Sequence, residues 1–165
     1  MIVIGVDPGA TGAIVGLNQD GSVYFCMDHK DLDTRKLCDL ITVYPTDECV
    51  KIAVVERQQY MSKGGREQGA KSAFSLGKGY GFWVGFFDAL GIEVLSPRPQ
   101  EWQHYFFGPG TVISDPKERS VREARRRLPD LELIPPRCRV PSHGRADAAL
   151  IALYGLGLVK RVVKP

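Results

Sequence analysis

Met1-Ile2-Val3-Ile4-Gly5-Val6-Asp7-Pro8-Gly9-Ala10-Thr11-Gly12 opens the chain, and its reading decides the fold. An apolar, β-branched run ends in a carboxylate, a tight Pro-Gly turn follows, and Ala13 to Leu17 start a second apolar run. That pattern is a β-hairpin with an acid at the end of its first strand. A buried strand end holds a side chain rigidly, which suits a metal ligand or a catalytic base. An unpaired carboxylate among Ile and Val is costly. The alternative is a turn-capping role, since Asp-Pro-Gly is favourable turn chemistry.

Outward from this stretch, residues 2–7, 12–17 and 22–27 read as three short strands with turns at Gly9 to Gly12 and at Asp20-Gly21. They predict an antiparallel meander. Leu37, Leu40, Ile41 and Tyr44 have helical spacing within Leu32 to Tyr44. Ile52 to Val55 is a buried strand ending in Glu56. A polar, glycine-containing stretch from Arg57 to Gly69 follows. Ala70 to Leu90 reads as a helix that is apolar all round, with Gly77, Gly79, Gly81 and Gly85 permitting close packing within the fold or across a dimer interface. Ile92 to Leu95 is a further strand. Pro97, Pro99 and Pro109 punctuate an expected loop containing Trp102, Tyr105, Phe106 and Phe107. Asp115 to Leu128 is a basic helix, residues 129–141 are irregular, and Ala146 to Val159 is an apolar helix. The order is βββαβαβα plus a final helix, which implies a five-stranded mixed sheet with helices on its faces. No internal repeat, low-complexity tract or linker divides residues 1–165 into more than one domain.

A chain of 165 residues is long enough to bury a real core. No apolar stretch approaches a membrane span, and the short, strand-like N-terminal run lacks a basic leader. Cys26, Cys38, Cys49 and Cys138 are scattered, which argues against structural zinc and against a disulfide framework. A reduced, intracellular compartment is expected. The net charge of +3 is unevenly placed: residues 1–96 carry 9 Lys/Arg against 12 Asp/Glu, and residues 97–165 carry 13 against 7. The C-terminal part is therefore a candidate surface for a polyanion.

Three acids share a placement. Asp7 ends the first strand, Glu56 ends the fourth, and Asp147 opens the last apolar helix. If the first and fourth strands are parallel neighbours, Asp7 and Glu56 emerge on one edge of the sheet, and a helix crossing that edge can bring Asp147 to them. Clustered carboxylates raise each other's pKa unless a cation sits between them. Such oxygen-rich sites suit Mg²⁺ or Mn²⁺, and two ions about 3.5–4 Å apart can drive phosphodiester cleavage. Taken singly, Glu56 could pair with Arg57 at the surface, Asp147 could serve the helix dipole, and His143 could be a surface loop histidine.

Together these residues resemble the RuvC-type Holliday junction resolvases of the RNase H-like nuclease superfamily, and the likeness covers most of the chain. Gly5-Val6-Asp7-Pro8-Gly9-Ala10-Thr11-Gly12 is similar to that family's opening motif, and Val54-Val55-Glu56 to its second acidic motif. Ser72-Ala73-Phe74-Ser75-Leu76-Gly77, with Gly79 and Gly81, resembles its glycine-containing helix. Gly144-Arg145-Ala146-Asp147-Ala148-Ala149-Leu150-Ile151-Ala152 resembles its closing motif. The resemblance implies an RNase H-like fold and a dimeric, Mg²⁺-dependent crossover junction endonuclease with two ions per active site. It would nick two opposed strands of a four-way junction symmetrically and leave 5′-phosphate and 3′-hydroxyl ends. Asp7, Glu56, His143 and Asp147 are the implied catalytic and metal-binding set. Many members carry a further Asp three residues before the final one; here Gly144 occupies that place and His143 precedes it. The aromatic that family members use to disrupt base stacking, three residues after the second acid, is replaced by Gln59, with Tyr60 following. The Trp102 to Phe107 cluster resembles the shorter resolvase-like proteins of phages and prophages.

Holding phosphates falls to Lys and Arg. Lys63 and Arg66 follow Glu56, while Lys117, Arg119, Arg122 and Arg126 lie on the basic helix, Arg122 and Arg126 sharing a face. Arg145 adjoins the acids and is a candidate for the scissile phosphate. With Tyr60 these form the expected DNA-binding set; the alternative for the helix is a solvated face paired through Glu118 and Glu123. Three other readings stay open. Asp-x-Gly-x-Thr also resembles the phosphate loop of sugar kinases and actin-like ATPases, which need a second such domain that this chain lacks. A nuclease acting on other branched or RNA-containing substrates and a non-catalytic junction-binding protein are the other two.

Overall fold

The computed structural model describes residues 1–43, 51–58, 69–108 and 115–162. Strands β1 (Ile2–Val6), β2 (Ala13–Asn18) and β3 (Val23–Asp28) form the expected antiparallel meander. Strands β4 (Lys51–Val55) and β5 (Glu93–Leu95) add to it in parallel, giving one five-stranded sheet in the order β3-β2-β1-β4-β5. Val6 lies opposite Val55, and the Glu56 N–H donates to the Val6 carbonyl at 3.1 Å. The parallel β1–β4 pairing therefore brings Asp7 and Glu56 off the same edge.

Both sheet faces are covered, which is why the central strands are apolar throughout rather than alternating. Ile2, Ile4, Val6, Ala53 and Val55 pack with Leu37 and Ile41 of α1 (Thr34–Thr42) and with Trp83 and Phe87 of α2 (Ala70–Ala89). The opposite face sets Val3, Val15 and Val54 against α4 (Pro116–Arg127) and α5 (His143–Val162). Among the described residues no helix is long and apolar enough to cross a membrane.

Two elements depart from the sequence expectation. The stretch expected as a proline-punctuated loop contains helix α3 (Pro99–Phe107). Pro99 stands in its first turn, where a missing N–H costs nothing. The Glu101 carboxylate accepts from the Arg98 N–H at 2.6 Å, and Gly108 at φ 64° ends the helix. Helix α5 begins at His143 rather than at Ala146. The Ser142 hydroxyl accepts from the Arg145 N–H at 3.2 Å, capping the extra turn.

Close approaches seat α5. A Cβ at Gly5 would lie 2.2 Å from the Ala148 carbonyl oxygen and 2.3 Å from the Ala152 nitrogen. Only glycine on β1 lets the helix backbone come this near, and Asp147 is the neighbour of that contact. Gly12 and Gly144 form a further parallel bridge between the first turn and the start of α5.

Candidate active site

Asp7 leaves β1 and turns its Oδ1 onto the Gly9 N–H, which donates at 3.0 Å. Glu56 leaves β4 on the neighbouring strand. The Trp102 Nε1–H of α3 donates to its Oε2 at 2.7 Å, and the Gln58 side chain donates to its Oε1 at 3.3 Å. Asp147 projects from the first turns of α5. It takes a hydrogen bond from the Ser120 side chain on α4, and its Oδ1 is buried without a partner. Each carboxylate is thus steered by a donor from a different part of the fold.

Burial is the main cause that raises all three pKa values. Glu56 is pushed up to about 7 by desolvation, against the Trp102 hydrogen bond, and is raised further by the negative charges of Asp7 and Asp147. Asp147 is also pushed up to about 7 by desolvation, then by Asp7, while Ser120, Arg119 and Lys117 pull it down. Asp7 is raised by desolvation and partly relieved by the Gly9 N–H and by His29. Mutual repulsion of this kind is the signature of carboxylates gathered without enough positive charge among them.

His29, just past β3, was not singled out in the sequence. Its Nδ1 bonds the Gly9 carbonyl at 2.9 Å, its backbone N–H donates to the Gly12 carbonyl at 3.0 Å, and its ring stacks on Trp83 with centroids 5.1 Å apart. It clamps the turn that holds Asp7. Trp102 and Ser120 were missed as site residues too. The available signals were Pro99, which marks a helix start, and the four-residue steps from Ser120 to Ala124 and Leu128, which place it on the inward side of α4.

The basic helix divides. Lys117 and Arg119 stand near enough to Asp147 to lower its pKa. The Arg119 guanidinium lies 4.0 Å over the Phe107 ring, with its Nε buried and unbonded. Arg119, Arg122, Arg125 and exposed His143 line a cavity of about 590 Å³ together with Val140 and Pro141. His143 is thus placed beside the arginines, one helical turn before Asp147. Arg126 is instead held by Glu123 through bonds of 3.0 and 2.7 Å, so the paired-surface alternative holds for that residue.

Arg145 corrects an expectation. It is buried, with Nε and Nη2 each 2.9 Å from the Asp28 carboxylate oxygens and Nη1 donating to the Glu132 carbonyl at 2.7 Å. Each of its three nitrogens donates inside the fold, so it ties α5 to β3 rather than meeting a phosphate. Gly144 has no room for a side chain, because a Cβ there would lie 2.3 Å from the Thr11 carbonyl oxygen. Tyr60, Lys63 and Arg66 lie outside the described residues. Among the described residues, no three His, Cys, Asp or Glu side chains come together tightly enough to hold a metal ion as they stand.

No family model matches the chain, and no curated protein matches it. Solved structures do. The chain is similar to the structure of Thermus thermophilus RuvC, with 18% identity, a TM-score of 0.65, and coverage of 100% of this chain and 99% of that one. It is also similar to T. thermophilus RuvC in complex with Holliday junction substrate, with 16% identity, a TM-score of 0.63, and coverage of 99% and 97%. The fold is thus RuvC-type over the whole chain.

Proposed function

We propose that this chain is a metal-dependent, structure-selective endodeoxyribonuclease that resolves four-way DNA junctions by paired, symmetric nicks. The observation that carries this reading is the convergence of Asp7, Glu56 and Asp147 from β1, β4 and α5, each with its pKa raised by burial and two of them to about 7. The end-to-end likeness in fold to a protein solved with a Holliday junction substrate supports it.

The residues fit divalent ions. Their donors are hard carboxylate oxygens, and the buried Asp147 Oδ1 has no partner of its own. Mg²⁺ is commonly held by one or two carboxylates plus substrate phosphates rather than by a closed protein cage, so a preformed three-ligand cluster is not required. Asp7, Glu56 and Asp147 would hold two Mg²⁺ or Mn²⁺ ions, with His143 as the further ligand. Bound there, the ions would supply Lewis acidity for the attacking water and the leaving oxygen.

The chain's own groups supply the rest. Lys117 and Arg119, beside Asp147, would neutralise the phosphate being cut, and Arg122 would take the next along the strand. A carboxylate with a pKa near 7 can accept a proton from water at neutral pH. In-line attack on phosphorus breaks the bond to the 3′ oxygen, which leaves with a proton, giving 3′-hydroxyl and 5′-phosphate ends. Tyr60, Lys63 and Arg66, in the segment after Glu56, complete the proposed DNA-contacting set.

Two opposed nicks need two sites, so the active form is a homodimer. Helix α2 supports this: only Trp83 and Phe87 are buried along its 20 residues, Phe74 and Phe82 are 74% and 44% exposed, and nothing lies within 4 Å of a Cβ built at Gly77, Gly81 or Gly85. The expected setting is the cytoplasm.

The test is cleavage of an end-labelled synthetic four-way junction in Mg²⁺, in Mn²⁺ and in EDTA, beside matched linear duplex. Paired metal-dependent nicks near the junction centre, absent from duplex, are expected. Tight junction binding with no cut under either metal would replace the reading with a binding protein. Cutting confined to RNA-containing or flap substrates would replace its substrate.

A further inference from the structure

Trp102 is 1% exposed, yet its indole N–H is spent on a carboxylate at the edge of the site. An indole has one donor and no acceptor, so burying it requires one oxygen in one direction. Here that oxygen is Glu56 Oε2, at 2.7 Å, short enough for a charge-assisted bond. The ring cannot easily move to another acceptor. It is packed in the core cluster with Val54 of β4 and with residues of α4 and α5. Among the described residues, Glu56 Oε1 is held by Gln58 alone, at 3.3 Å. One oxygen is therefore fixed and its twin is loosely tied. Packing alone would be met by Phe or Leu at position 102.

The geometry points to Trp102 as the positioning residue of Glu56: α3 braces one carboxylate oxygen against the core so that the other is presented to a divalent cation. This rests on the reading of Asp7, Glu56 and Asp147 as cation ligands. The bond also favours the ionised carboxylate against the burial that protonates it. The same helix carries Phe107, on which Arg119 lies, so α3 touches both an acid and a cation near the site.

The test compares wild type, Trp102→Phe and Glu56→Gln for Mn²⁺ affinity by calorimetry without DNA, for junction affinity in EDTA, and for thermal unfolding. Loss of a partner that orients a metal ligand typically weakens metal binding about 10-fold to 100-fold. Trp102→Phe is expected to weaken Mn²⁺ binding by that factor while junction affinity in EDTA stays at the wild-type value. A folded Trp102→Phe protein that binds Mn²⁺ as wild type does would overturn the inference alone.

A second measurement stands if Trp102→Phe does not fold. The chain has two tryptophans, so wild type gives two indole N–H resonances, distinguished by Trp83→Phe. The Trp102 resonance is expected far downfield, and to shift with diamagnetic Mg²⁺ and in Glu56→Gln. A Trp102 resonance indifferent to both would also overturn the inference. Wild type that neither binds Mn²⁺ nor cuts a junction would instead remove the underlying reading, and this inference with it.

Discussion

At the residue scale the three acids carry opposite demands. Ionised and buried together, Asp7, Glu56 and Asp147 repel one another, so the site costs stability that function requires. Asp147→Asn removes one charge and keeps the Ser120 contact within reach. It is expected to lower junction cleavage at least about a thousandfold, ~4 kcal/mol of barrier, to leave junction binding in place, and to raise the melting temperature by a few degrees. Cleavage assays and gel shifts on one preparation check the first two, and scanning calorimetry the third. Gly144 gives a second prediction. With a Cβ 2.3 Å from the Thr11 carbonyl oxygen, Gly144→Asp cannot supply the further family acid without prising α5 from the first turn. A loss of about 1–3 kcal/mol, typical of overpacking, is expected in denaturant unfolding, with no gain in cleavage. Asp7 and Glu56 stand out in the sequence because a carboxylate ending an apolar run is anomalous on its own, and Asp147 because it opens an apolar helix. Arg145 was misread because sequence proximity to Asp147 says nothing of direction. Its guanidinium turns to Asp28, 117 positions away in the chain.

At the element scale, strands and turns were readable because their signals are local: β-branched runs, Asp20-Gly21, Pro8-Gly9. Helix α3 was not, since three prolines within a short span read as a loop until Pro99 is recognised as a first-turn residue whose first-turn partner, Glu101, closes the cap. Helix α4 was legible as a helix, but not which of its arginines a carboxylate holds. Arg122 is exposed and lines the cavity with His143 and Arg119, while Arg126 is bonded to Glu123. If α4 tracks the phosphates from the Arg119 side, Arg122→Ala removes about one phosphate contact and Arg126→Ala removes none. The expected outcome is that the slope of log binding constant against log salt becomes shallower by about one for Arg122→Ala and stays unchanged for Arg126→Ala. Junction titrations at a series of salt concentrations measure it. Equal slopes in the two variants would place the DNA elsewhere on the protein.

At the scale of the whole molecule, the fold gathers distant segments at one edge, and with the metal site proposed there its stability would depend on pH and on divalent ions. In the unfolded chain Glu56 and Asp147 release their protons near pH 4. In the folded chain they hold them until about pH 7, chiefly because burial disfavours the charged form. Between these values the native state binds more protons than the unfolded state, so stability falls as pH rises. The contribution is fully present below about pH 4 and is lost through pH 7. Groups of the opposite kind, such as Glu123 held down at about 2 by its arginines, act at lower pH. After discounting for coupling between the acids, the loss is on the order of 1–3 kcal/mol, and at about 2–4 °C per kcal/mol for a chain of this size it amounts to several degrees. The melting temperature in EDTA is therefore expected to fall from pH 5 to pH 8. Mg²⁺ should restore it at pH 8, where ionised carboxylates bind the cation, and do little at pH 5. The decisive sample is Glu56→Gln combined with Asp147→Asn. Its melting temperature should lose both the pH slope and the Mg²⁺ response. A slope that survives in that double variant would assign the pH dependence to groups outside the site and leave the acids without a thermodynamic claim on the ions.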